Sequence, residues 1–86
     1  MSSPEQKLWC RVALTVLEDA WNDIRRKDAD IPRIRREALM YFRSRDGREV
    51  LSLAGITASP ERLADVAVDF SARDRTKALL GFEEAA

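Results

Sequence analysis

The chain has 86 residues, fifteen basic and fifteen acidic side chains, and no histidine. At 45% hydrophobic and 35% charged it has the composition of a globular domain, not of a disordered segment. A chain this short suits one domain that buries only roughly 60–65% of its unfolded surface, which leaves little room for a deep substrate pocket.

No apolar run approaches the ~20 residues of a membrane span. The start, Met1-Ser2-Ser3-Pro4-Glu5, lacks the basic and apolar segments of a signal peptide. Cys10 is the single cysteine, so no disulfide framework is expected and the cytoplasm is the expected compartment. Without histidine the chain lacks the commonest general base and metal ligand. One cysteine does not make a zinc site, and three scattered glycines do not make a phosphate loop. The expectation is a protein that is not an enzyme and carries no metal or cofactor.

Ser3-Pro4-Glu5-Gln6 reads as a helix start, with Ser3 as cap and Pro4 in the first turn. Leu8, Trp9, Val12, Val16, Leu17, Ala20, Trp21 and Ile24 recur at three- and four-residue steps, which predicts a first helix from Pro4 to about Arg26. After a polar break, Asp30 and Pro32 open a second helix with Ile34, Ala38, Tyr41 and Phe42 inward. Asp46, with Glu49 three residues on, predicts the cap of a short third helix from Gly47 to Ala54, and Gly55 its left-handed stop. Ser59-Pro60-Glu61 starts a fourth helix with Leu63, Val66, Ala67 and Phe70 inward. The fold class expected is all-α, a compact orthogonal bundle of about four helices over residues 1–70. Residues 71–86 form a short C-terminal tail or extra helix, whose apolar residues fold back or dock on a partner.

The charge is unevenly spread. Arg25 to Arg48 holds nine basic and four acidic residues, net +5, and the rest of the chain is −5. Eight of those nine cations are arginine, which binds phosphate and carboxylate in bidentate fashion where lysine does not. Arg33, Arg35, Arg36, Arg43 and Arg45 are therefore the candidate contacts for nucleic acid or another anionic partner, as phosphate ligands. The competing structural reading is a solvated face paired with acids of the first and fourth helices. Tyr41 is a candidate for stacking on bases, and Tyr41, Leu79 and Phe82 for an interface. Trp9 and Trp21 read as core residues. The third and fourth helices invite comparison with a helix-turn-helix. Their link is long for that motif, and Glu61, Asp65 and Asp69 would repel the phosphates beside a groove.

From Trp9 to about Leu63 the chain resembles a group of small, mostly uncharacterised helical proteins encoded by phages and prophages, particularly of alphaproteobacteria. The resemblance rests on Trp9, Val16-Leu17 and Ala20, then Ala38 with Tyr41-Phe42-Arg43-Ser44-Arg45-Asp46, then Val50 with Leu53-Ala54-Gly55-Ile56. Gly47 stands where that pattern often has an aromatic, and Thr57-Ala58-Ser59-Pro60 replaces a shorter link. The resemblance implies a helical fold and a mobile-element origin, hence the cytoplasm of a bacterial host, but brings no activity or binding residues.

The first functional expectation is a phage-type accessory protein that binds nucleic acid through its central arginines, in regulation or genome handling. A second is a protein-binding module, such as an inhibitor of a host or defence complex. A third is a small homo-oligomeric structural subunit. No membrane partner is expected.

Overall fold

A computed structural model describes residues 4–82, and among these there is no β-strand. α1 runs over Pro4–Ile24, and the expected Ser3 cap lies outside the described residues. Its inward stripe is Cys10, Ala13, Leu14, Leu17, Ala20 and Trp21. This is rotated from the expected face: Leu8 is 60% exposed, and Trp9, Val12, Val16 and Ile24 are half-buried at the edges. α1 packs on α2, α3, α4 and α5, so several stripes are apolar and periodicity alone does not pick the innermost.

α2 spans Ile31–Arg43, and Asp30 caps it by accepting a hydrogen bond from the Arg33 N–H at 3.2 Å. Ile34, Ala38 and Phe42 are buried and Tyr41 is half-buried. The helix ends at Ser44, whose N–H donates to the Met40 and Tyr41 carbonyls.

α3 covers Arg45–Ala54 and begins two residues before the expected start. Its cap is Ser44 rather than Asp46, because Ser44 has extended backbone and its hydroxyl accepts from the Gly47 N–H at 3.1 Å. One residue thus closes α2 and opens α3. Gly47, inside the first turn of α3, lies against the end of α2: a Cβ there would sit 2.7 Å from the Tyr41 carbonyl carbon and 2.9 Å from Phe42 Cα. No side chain has space here.

α3 stops at Gly55, in the left-handed region with φ 73°. The Gly55 N–H donates to Ser52 and the Ile56 N–H to Leu51, which ties the end as a Schellman motif. α4 spans Pro60–Ala67, with the Ser59 hydroxyl accepting from the Arg62 N–H. It ends before Phe70, which sits in a 3-10 turn over Phe70–Ala72. Phe70 is 37% exposed and lies between the guanidiniums of Arg25 and Arg73, 4.9 and 5.0 Å from its ring centroid. Once α4 stops, its periodicity no longer carries Phe70 inward.

α5 runs over Arg73–Leu79 and buries no residue of its own. Beyond it the Phe82 N–H donates to Lys77 across Gly81, whose φ is 84°. Leu80 and Phe82 fold back on the core, Phe82 beneath Lys7 and Arg11, while Leu79 is 80% exposed.

The molecule is all-α. α1 packs most closely on α3, and α2 on α4. Trp21, Phe42, Leu14 and Leu17 are the largest fully buried side chains. The indole N–H of Trp21 donates to the Val66 carbonyl at 2.8 Å, joining α1 to α4. Among the described residues no helix is long and apolar enough to cross a membrane.

Candidate functional site

With Ile34, Ala38 and Phe42 inward, the hundred-degree step of α2 sets Arg33, Arg36, Met40 and Arg43 on its opposite, solvent side. Met40 is 66% exposed in the middle of this ridge. Arg35 lies on the flank toward α4.

Three of the five candidate arginines are paired. Arg35 Nε reaches Asp65 Oδ1 at 2.9 Å, and Arg43 Nη2 reaches Glu61 Oε1 at 2.7 Å. Arg33 Nε lies 3.7 Å from Glu37 Oε1, one turn along the same helix. The side chains in these pairs are 38–64% exposed, so solvent screening leaves each pair little weight in stability. What the pairs do is hold the guanidiniums in place. The Glu61 carboxyl is held below its ordinary range, first by its own backbone N–H at the start of α4, then by the Arg43 hydrogen bond and the charges of Arg43 and Arg35.

Arg36 and Arg45 are exposed, and among the described residues no carboxylate lies within ion-pairing distance of either. Of the acids expected to pair with these arginines, those of α4 engage Arg35 and Arg43, among the described residues none of α1 does, and Arg36 on α2 and Arg45 on α3 stay open. Glu61 and Asp65 on α4 turn toward α2.

Tyr41 packs edge-on against Phe42, with ring centroids 5.2 Å apart. It borders a shallow groove of about 180 Å³ between α1 and α2, floored by Val16, Ile34 and Ala38 and rimmed by Asp19, Asp23 and Glu37. Tyr41 thus borders a groove whose charged lining is carboxylate. Leu79 and Phe82 are far from α2 in the chain and are used differently: Phe82 is folded against α1, and Leu79 lines the mouth of a second cavity.

That second hollow is the larger. α1, α4, α5 and the link from Gly55 to Ala58 border an open cleft of about 500 Å³. Cys10, Ala13, Leu17 and Leu63 form its floor, and Arg62 and Arg75 stand among its polar lining. Nothing in the sequence marks these two arginines, because the residues around them come from four separate segments. Cys10 is a buried packing residue whose thiol donates to the Ala54 carbonyl at 3.3 Å. Among the described residues no cluster of three or more cysteine, aspartate or glutamate side chains could hold a metal ion.

Fold and surfaces define a small all-α protein with an arginine ridge on one helix and a cleft with an apolar floor behind another. The chain belongs to DUF6280, a family of unknown function, whose profile matches residues 2–86. Neither the curated proteins nor the solved structures yielded a match.

Proposed function

We propose that the protein is a non-enzymatic protein-binding module that grips an acidic partner surface with the outward ridge of α2. The observation that carries this reading is Met40, 66% exposed between Arg33, Arg36 and Arg43. Arginine, methionine and tyrosine are the residues enriched at protein interfaces, and lysine, absent from this ridge, is depleted there. The neighbouring carboxylates Glu37, Glu61 and Asp65 support the same reading, because they pre-organise three guanidiniums for bidentate contact with individual partner carboxylates. The resemblance to small phage-encoded proteins suits an inhibitor or accessory subunit acting on a complex of a bacterial host.

Arg36 and Arg45 favour a second reading, nucleic-acid binding, because they have no carboxylate to displace. Two such contacts would give a slope of only about −2 in a plot of log affinity against log salt, with correspondingly weak binding.

One experiment addresses both readings. The wild-type chain and the variants Met40→Glu and Arg36→Glu are immobilised and exposed to lysate of the encoding organism, with retained proteins quantified. The same proteins are titrated with a generic duplex and a single strand across a salt series. The expected result is a stoichiometric protein retained by wild type and lost with Met40→Glu, and weak nucleic-acid binding throughout. Tight, steeply salt-dependent nucleic-acid binding that survives Met40→Glu and fails with Arg36→Glu would overturn the first reading in favour of the second.

A further inference from the structure

We propose that the cleft between α1, α4 and α5 is a binding site for a small amphipathic anion, an aliphatic chain ending in a free carboxylate. Its size, about 500 Å³, falls among small-molecule sites, and walls on several sides suit a short ligand better than a passing polypeptide. The floor is apolar: Cys10, Ala13, Leu17 and Leu63 are each less than a tenth exposed. An alkyl chain there replaces water against hydrocarbon.

The charge of the lining gives the other half of the argument. Its charged residues are Arg62 and Arg75, with no aspartate or glutamate, in a chain with as many acids as bases. Both arginine side chains are exposed, and among the described residues neither has a carboxylate within ion-pairing distance. Arg35 and Arg43 on α2 are matched by α4 acids, so the lack of a match at the cleft is local. A guanidinium beside an apolar cleft floor binds a carboxylate in a charge-assisted, bidentate contact, while the chain runs inward along the floor.

The cover suits entry. α5 buries no residue of its own, and Leu79 stands 80% exposed at the rim. α5 is fastened beyond its end by Phe82 under Lys7 and Arg11. A ligand can therefore enter by a small outward shift of α5 while that anchor stays in place, and Leu79 gains an apolar neighbour.

Two native groups report occupancy. Cys10 lines the cleft, and Trp21 donates to the carbonyl of Val66, which also lines it. The test titrates the full chain with decanoate and, as a neutral chain of equal length, decanol. It follows Cys10 alkylation by a maleimide and tryptophan emission, with calorimetry as a third readout should Cys10 prove slow to react. The expected result is saturable decanoate binding that slows Cys10 alkylation, with decanol weaker by about tenfold or more. Arg62→Gln/Arg75→Gln, at two exposed positions, should keep the native circular dichroism and lose that same factor for decanoate but not for decanol. Absence of decanoate binding in all three readouts overturns the proposal. So does equal affinity for decanoate and decanol, or unchanged decanoate affinity in the double variant.

Discussion

Replacing Gly47 with alanine adds one methyl group where α3 meets the end of α2. That carbon would stand 2.7 Å from the Tyr41 carbonyl carbon, 2.9 Å from Phe42 Cα and closer still to the Tyr41 oxygen. All three are backbone atoms, so no side-chain rotation relieves the overlap. The Tyr41 carbonyl is also fixed by the Ser44 N–H and hydroxyl, and Phe42 is fully buried. Relief therefore requires α3 to move away from α2, loosening Val50 and Leu51 in the core. Overpacking of this kind costs up to about 3 kcal/mol. Alanine recovers about 1 kcal/mol of helix propensity over glycine, which leaves a net loss of about 2 kcal/mol. For a domain of this size that corresponds to a Tm lower by about 10 °C. Urea denaturation followed by circular dichroism measures it, with Ser52→Ala, at an exposed position of the same helix, as the control. A Gly47→Ala variant as stable as wild type, or more stable as propensity alone predicts, would refute the close approach of the two helices.

Trp21→Phe removes the donor to the Val66 carbonyl but keeps most of the buried ring. That carbonyl retains the N–H of Asp69 at 3.0 Å, so the expected loss is about 1 kcal/mol plus a packing defect, read by the same denaturation. The pH dependence follows from Glu61. Its carboxyl titrates below the ordinary value of 4.5 in the folded chain, so its contribution is complete above that value and is lost as the pH falls through the lower, folded one. Glu61→Gln is expected to lower stability near neutral pH, to flatten the acid limb below pH 4.5, and to converge with wild type at low pH where Glu61 is protonated. An acid limb identical to wild type would show that the folded chain does not lower the Glu61 pKa.

Much of the fold is legible in local chemistry. Asp30 and Ser59 cap as their spacing indicates, Gly55 turns left-handed where α3 must stop, and Ile34, Ala38, Phe42, Val50 and Leu63 go inside. Besides the rotated face of α1, two local readings fail for identifiable reasons. Asp46 and Ser44 both offer a capping oxygen at the right place, and the choice went to Ser44 because it leaves Gly47, the residue without a side chain, at the close approach. Phe70 continues the apolar spacing of α4 but lies beyond the helix end, so two arginines cover it instead of the core. Of the candidate site, the sequence marked the arginines of the ridge but neither their pairing nor Met40, which reads as lying beside the inward apolar stripe and is 66% exposed. Tyr41, a candidate for stacking on bases, borders a groove rimmed by carboxylates, because α1 presents Asp19 and Asp23 where it meets α2.

What the sequence determines by itself is whatever is settled within about one helical turn: the helices, most of their caps, the glycine stop and the excess of arginine between residues 25 and 48. What only the tertiary structure decided are relations across the chain. Arg35 meets Asp65 thirty residues away and Arg43 meets Glu61 eighteen away, and these pairings separate anchored arginines from open ones. The cleft is likewise assembled from α1, the link before α4, α4 and α5. Periodicity and capping act through neighbouring backbone groups and are written in short windows of sequence. Charge pairing and enclosed volume depend on how helices cross, which is fixed by close packing of the whole core.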